Sequence, residues 1–346
     1  MAATIRDVAR AAGVSTSTVS RVLNQKGTIS EETKQRIYQA MENLNYVPND
    51  FARGLATGSP RVIALVIDVA DVRAYSNNFF NNTVFGIETT AHRNDYNLMI
   101  INGAPAFGGI SSVERLVMSK KIDGVIFPVS IVNAGLLKKL DELHFPCVVL
   151  GRSEEISGEV NWVDINNTQA GASATRHLLR NGYQNIAFLS DGEDKIFNQD
   201  RITGYCRELS HNGLPVDQAM IVHVESSLDA GQKMISELLS LPQPPDAVIC
   251  SSDRLALGAI RAAREKGLSV PRDFGVLSFD NTPLTELAEP SITSIDMDTF
   301  EQGVQAAETL LNQIEDPDIS IRQILLSTKT VVRTSTSRTH TEAAYT

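Results

Sequence analysis

The chain has 346 residues, with 31 Lys and Arg against 41 Asp and Glu, 42% hydrophobic and 21% charged. At roughly 100–200 residues per domain this makes two or three domains, and so apolar a chain is not disordered. Its clearly apolar runs, such as Val62–Ile67, fall far short of the ~20 residues of a membrane-spanning helix. The first residues show no secretory pattern, and the three cysteines, Cys147, Cys206 and Cys250, lie too far apart for a disulfide framework or a CxxC metal site. A cytoplasmic protein without a membrane partner is expected. The net charge of −10 is unevenly distributed: residues 1–60 carry seven Lys and Arg against five Asp and Glu, a balance of +2, and the remainder carries 24 against 36, a balance of −12. A mildly basic head can sit on phosphates while an acidic body stays off them.

The head reads as short helices. Ile5, Val8, Ala9 and Ala12 recur at helical spacing, Thr4 and Asp7 have the spacing of a capping box, and Gly13 stops the helix. Ser15 can cap a second helix with Val19, Val22 and Leu23 on its apolar side; Ser30 can cap a third with Ile37, Ala40, Met41 and Leu44 inward and Glu31 and Glu32 in its first turn. Two short helices joined by a Gly-containing turn and backed by a third form a helix-turn-helix pattern. Opposite the apolar stripe of the second helix lie Thr16, Ser17, Ser20 and Arg21. Small hydroxyls let a helix enter the major groove and a guanidinium can grip guanine, although the same face also suits an ordinary solvated helix.

From Arg61 onward, apolar runs at Val62–Ile67, Leu98–Ile101, Gly124–Phe127, Cys147–Leu150, Ile186–Leu189, Ala247–Cys250 and Gly275–Phe279 alternate with helical patterns such as Ala172–Leu179 and Leu255–Lys266. Alternation of this kind predicts parallel α/β sheets, and about 280 residues predict two similar lobes. Open α/β sheets bind ligands beyond the carboxyl ends of their strands. That rule nominates Asp68, Pro128, Gly151 and Arg152, Ser190 and Asp191, Ser251 to Arg254, and Asp280 and Asn281. Carboxylates and guanidinium forks suit a polyhydroxylated ligand, and Trp162, Tyr75, Phe79 and Phe80 are candidates for a plane against a sugar face. Asp253, directly before an apolar helix, also suits a cap.

The strings TIRDVARAAGVSTSTVSRVLN (4–24), ISEETKQRIYQAMENLNYVPN (29–49) and FARGLA (51–56) closely resemble the head of the LacI/GalR family of bacterial transcription regulators. The resemblance implies a fold of a helix-turn-helix head (1–47), a hinge helix and linker (48–60), and a two-lobed, periplasmic-binding-protein-like effector and dimerisation domain (61–338), with a tail at 339–346. The expected lobes are 61–161 with 292–326, and 162–291 with 327–338. By position it places Thr16 and Ser17 as the base-reading pair and Arg21 as a third groove contact, with Thr4, Ser15, Thr18, Ser20, Asn24, Asn49, Arg53, Leu55 and Ala56 as further DNA contacts. Pro48 suits a helix start, and Ala52, Leu55 and Ala56 share a face. A segment this short is expected to fold when two copies pair over the minor groove, with Leu55 as the wedge that kinks the duplex.

The body strings WVDINNTQAG, NIAFLSDG, DRITGY, AVICSSDRLALGAIRAAREKGLSVP and FGVLSFDNTP resemble the family's effector domain. By position Arg201 and Asp280 correspond to its most regular effector contacts, Ser252 and Arg254 flank another, and Tyr75, Phe79, Arg152, Trp162 and Asp191 complete the expected site. The NNFF, VLGR and SSDRLALG strings look most like regulators of maltose or α-glucoside genes. The implied partners are double-stranded operator DNA, a mono- or disaccharide effector and a second copy of the chain, with no cofactor. An effector that is not a sugar, or that acts as corepressor, remains an alternative. Phosphate-loop, HExxH and dinucleotide motifs are absent, and the six histidines show no metal spacing. The rival readings are a sugar hydrolase using Asp253 and Asp280, and a plain sugar-binding receptor.

Overall fold

The computed structural model describes residues 3–23, 28–46, 59–67, 78–103, 111–153, 160–193 and 195–338. Contacts group the chain into two compact units, Met1–Val62 with Leu116–Asp123, and Ile63–Arg115 with Gly124–Thr346.

In the first unit three helices, α1 (Ile5–Ala12), α2 (Thr16–Leu23) and α3 (Glu31–Asn43), close around Val8, Ala9, Ala12, Val19, Val22, Ile37 and Ala40, the residues that the helical spacing turns inward. Gly13 takes φ +64°, the left-handed conformation that a glycine adopts without a Cβ penalty, and this lets the chain turn sharply from α1 into α2. At the start of α1 the Asp7 carboxylate accepts from the Thr4 amide at 3.0 Å and from the Thr4 hydroxyl at 2.7 Å. The Ser30 hydroxyl caps α3 by accepting from the Thr33 amide at 3.4 Å. Leu44 departs from expectation: it caps the helix end at 36% exposure, and Tyr46 packs on the core instead. The helix has already ended at Asn43, so the periodicity no longer points Leu44 inward.

The second unit holds two six-stranded sheets. In chain order, the first lobe is built from β1 (Val62–Ile67), α4 (Asn78–Arg93), β2 (Asn97–Asn102), α5 (Ser112–Met118), β3 (Gly124–Pro128), α6 (Ala134–Glu142), β4 (Cys147–Leu150) and β5 (Asn161–Ile165). The second follows as α7 (Asn167–Arg180), β6 (Ile186–Ser190), α8 (Ile196–His211), β7 (Ile221–His223), α9 (Leu228–Leu238), β8 (Ala247–Cys250), α10 (Asp253–Glu265), β9 (Gly275–Phe279), α11 (Pro283–Leu287) and β10 (Thr293–Asp296). α12 (Thr299–Glu315) and β11 (Gln323–Leu326) return to the first lobe, and β12 (Lys329–Val331) to the second. The sheet orders are β11-β5-β4-β3-β1-β2 and β12-β10-β9-β8-β6-β7. Their described pairings are parallel except β10 with β12. Ile63, Ala64, Leu65 and Val66 of β1 are all buried, as a strand covered on both faces requires. Among the described residues no helix is long and apolar enough to cross a membrane.

The crossings between lobes differ from those read from the sequence. β5 pairs with β4 and β11, so the chain leaves the first sheet at Asn166 rather than near Asn161. β10 pairs with β9 and β12, so it returns after Asp296 rather than near Ser291. Both strands carry polar residues whose bonds are made inside the fold: Asn161 donates to Gln313 Oε1 at 3.0 Å, and Thr293 shares a 2.7 Å bond with Thr336. Neither therefore reads as an apolar run. The last crossing lies between β11 and β12.

Helices α7 and α8 pack at unusually close range. A Cβ at Gly171 would overlap the Arg201 carbonyl, and one at Gly204 the Thr168 carbonyl, so both backbones touch where only glycine fits. Gly171→Ala is therefore expected to reduce stability by about 1–3 kcal/mol, seen as a lower denaturant midpoint at unchanged slope. A midpoint equal to that of the parent chain would refute the close approach.

Candidate functional sites: an exposed helix face and a polar cluster between the lobes

On the head, Ser15 starts α2 by accepting the Thr18 amide at 3.1 Å, and its hydroxyl also bonds those of Ser17 at 2.7 Å and Thr18 at 2.8 Å. With Val19 and Val22 sunk in the core, the opposite side presents Thr16, Ser17 and Arg21 as exposed side chains, with Ser20 half-buried beside them. Thr18 is half-buried and turned onto the cap, and the Thr4 hydroxyl is held by Asp7. Packing and capping thus leave a short polar stripe on the first two turns of the helix. Asn24, Asn49, Arg53, Leu55 and Ala56 lie outside the described residues, as do Tyr75 and the Phe79 side chain.

In the body, the carboxyl ends of the adjacent strands β6, β8 and β9 bring together Asp191, Ser251 and Asp280, and α8 adds Arg201, Asn198 and Phe197. Arg201 is only 3% exposed. Its Nε donates to Asn167 Oδ1 at 3.0 Å and its Nη1 to the Ser251 carbonyl at 3.4 Å. Its guanidinium carbon lies 4.3 Å from the Phe279 ring centroid and 5.1 Å from that of Phe197. Burial lowers the Arg201 pKa, opposed by the negative charges of Asp280, Asp191 and Asp164. A buried cation tolerates this position because carboxylates and π faces surround it.

Asp191 is the organising carboxylate. Its Oδ1 accepts from Asn198 Nδ2 and Ser251 Oγ, both at 2.9 Å, and its Oδ2 pairs with Lys195 at 3.0 Å. Asn198 is buried, and its own Oδ1 has no hydrogen-bond partner. Asp280 and Asn281 both take left-handed backbone angles, φ +89° and +50°, immediately after β9. Such conformations in non-glycine residues persist where the surroundings over-determine them. Burial pushes the Asp280 carboxyl up to about 7, against the lowering influence of Arg201 and reinforced by Asp253 and Asp191.

The first lobe contributes Arg152, in the loop after β4, and Asp164 of β5. Arg152 Nη2 reaches Asp200 of α8 at 2.6 Å, and Nε lies 3.5 Å from Asp164 Oδ2. Burial raises the Asp164 carboxyl to about 6. Asp164, Asp200, Asn198 and Phe197 were not singled out from the sequence. Phe197 and Asn198 lie four and three residues before Arg201, the spacing of one helix face, and that spacing was a readable signal.

Other expected residues lie elsewhere. Trp162 sits at the amino-terminal end of β5, in register with Val149 and Gln323, three residues before the carboxyl edge of the sheet. Ser252 bonds Ser226 at 3.1 Å, Arg254 is exposed on the first turn of α10, and Phe80 packs on the first-lobe core. Asp253 does not cap α10, a position taken by Ser252. Its buried carboxylate accepts from Ser278 Oγ at 2.5 Å and the Thr282 amide at 2.8 Å, tying β9 to α10.

An acid held protonated by the fold makes stability fall as it ionises. Asp280 is therefore expected to contribute stability that is fully present below about pH 4 and is lost as pH rises through about 7. Asp280→Asn should flatten this profile in denaturant titrations across that range; a profile parallel to that of the parent chain would remove Asp280 as the responsible group.

Residues 4–49 match the family of bacterial regulatory proteins named for lacI, and residues 175–336 match a periplasmic binding protein-like domain. The HTH-type transcriptional regulator MalR of Streptococcus pneumoniae is 36% identical over 318 residues, covering 91% of this chain and 94% of its own. The HTH-type transcriptional repressor PurR of Vibrio atlanticus is 32% identical over 317 residues, covering 91% and 93%. Among solved structures, a complex of the transcriptional regulator CelR with cellobiose shows a TM-score of 0.69 at 29% identity, covering 96% of this chain and 99% of that one. The lac repressor dimer bound to operator and the anti-inducer ONPF has the same fold, with a TM-score of 0.78 at 24% identity over 97% and 99% of the two chains. On the match of its first 49 residues and its likeness to curated relatives over nine-tenths of its length, the chain belongs to the lacI family of bacterial transcriptional regulators.

Proposed function

We propose that this regulator is a repressor whose operator affinity is set by an uncharged, polyhydroxylated small molecule, a mono- or disaccharide, seated at the Arg201 cluster. The observation that carries the reading is the composition of that cluster. One buried guanidinium, the Asp191 and Asp280 carboxylates and the unpartnered Asn198 Oδ1 offer donors and acceptors side by side, as vicinal hydroxyls require. The 40%-exposed Phe197 ring, against Arg201, supplies an apolar plane for a sugar face. The surplus of carboxylates disfavours an anionic ligand. The cellobiose in the CelR complex supports a sugar in a similar fold.

On the DNA side, Thr16, Ser17 and Arg21 are the residues we assign to the major groove. Two copies of the chain, paired through their bodies, would place two heads on a two-fold-related operator. Effector binding and operator binding would then be linked by about 1–3 kcal/mol, a 5–150-fold change in affinity. The hydrolase reading draws no support from the geometry, because Asp253 is committed to framework hydrogen bonds.

A thermal-shift screen of mono- and disaccharides, nucleosides and sugar phosphates, repeated with operator DNA, tests the assignment. A neutral sugar should raise the melting temperature and alter operator affinity; a response confined to nucleosides or phosphates would overturn the sugar reading. Phe197→Ala should weaken sugar binding about tenfold with little loss of stability, as expected for removing a partly exposed ring. Equal affinity in calorimetry would remove the ring from the site. Arg21→Ala should cost roughly 1–3 kcal/mol of specific binding and relax base preference, read from a panel of operator variants.

A further inference from the structure

Arg152 was expected among the effector contacts, yet its guanidinium is already engaged by protein. It extends from the loop after β4 in the first lobe, and its Nη2 donates to Asp200 Oδ2 of α8, in the second lobe, at 2.6 Å. Its Nε, buried and without a hydrogen bond, faces Asp164 Oδ2 of its own lobe at 3.5 Å. The side chains are only partly accessible, 39% for Arg152, 23% for Asp200 and 12% for Asp164, so the pair is screened less than a surface ion pair. Asp200 immediately precedes Arg201 on α8, and Asp164 is two residues before the crossing at Asn166. A strain on either partner therefore bears on the effector cluster and on the inter-lobe crossing together.

We propose that the Arg152–Asp200 ion pair is an inter-lobe latch: a protein-to-protein link that holds the two lobes in the relation the structure shows, and so sets how much of the chain is ready to grip its effector. The latch rests on the reading of the cluster as an effector site only for its consequence, because the link itself is a property of the two side chains. Asp164 is the positioning partner. Its carboxyl faces Arg152 Nε at 3.5 Å from the first-lobe side as a charge contact, while the Nη2 of the same guanidinium reaches across the gap to Asp200. Loss of the pair leaves a larger unlatched population. Ligand affinity falls by the fraction of the latched form that is lost.

The test compares Asp200→Asn, which removes the charge at constant size, Arg152→Gln, which breaks the same pair from the other lobe, and Asp200→Glu, which keeps the charge. Spin labels at Lys138 in the first lobe and Arg272 in the second, side chains 78% and 77% exposed, report the inter-lobe distance. They are placed in a Cys206→Ser background, with labelled protomers diluted into unlabelled ones. The two neutral variants should broaden the distance distribution towards longer values and weaken sugar binding about two- to fivefold, the scale of a partly exposed ion pair. Asp200→Glu should restore both readings. Distance distributions identical to that of the parent chain in both neutral variants would overturn the latch. If no sugar binds the parent chain, the effector reading fails, and the distances still decide the latch.

Discussion

A guanidinium buried almost completely between two rings and three carboxylates is costly to bury and is tolerated only with compensation. Arg201 receives that compensation from every side: Asn167 and the Ser251 carbonyl accept its N–H groups, Phe279 and Phe197 flank it, and Asp280, Asp191 and Asp164 lie near it. Much of the surrounding architecture follows from holding this one charge. The glycine contact between α7 and α8 brings Asn167 within reach of Arg201. The turn after β9 holds Asp280 in a left-handed conformation beside it. Asp191 is oriented by Asn198, Ser251 and Lys195 before any ligand group is considered.

Carboxylates at the strand ends exceed the cations they face, and burial raises two of them, Asp164 to about 6 and Asp280 to about 7. Their charge is thus adjustable near neutrality. The head follows the opposite rule. Its small core is closed by alanines and valines, its helix starts are capped by Ser15 and Ser30, and its outward stripe carries short hydroxyls and one arginine. A slender helix with little bulk on one face is suited to enter a groove.

Most of the head was legible in the sequence because its interactions are local. Capping by Thr4, Ser15 and Ser30, the left-handed turn at Gly13 and the inward faces of three helices all act over three or four residues, so spacing alone conveys them. Leu44 is the informative exception, since the helix ends one residue before it. In the body, the seven apolar runs are strands; six are covered on both faces and read as unbroken hydrophobic segments, whereas β2 is a sheet edge with Ile100 exposed. β5 and β10 escaped that rule because Asn161, Thr293 and Ser294 satisfy their polarity through partners up to 161 residues away in the chain.

What the amino-acid order determined by itself was therefore the helices of the head, seven of the twelve described strands, the polar stripe of α2 and the strand ends at which polar side chains gather. Only the tertiary structure decided which of those groups meet. It brought Arg201 to Asp280, turned Arg152 onto Asp200 and Asp164, set Phe197 against Arg201 while Trp162 stayed at the amino-terminal end of β5, and committed Asp253 to the framework. The physical reason is range: helix capping and periodic burial act between near neighbours, whereas the environment of a buried charge is assembled from strands and helices that are remote in the chain and adjacent only once both sheets have formed.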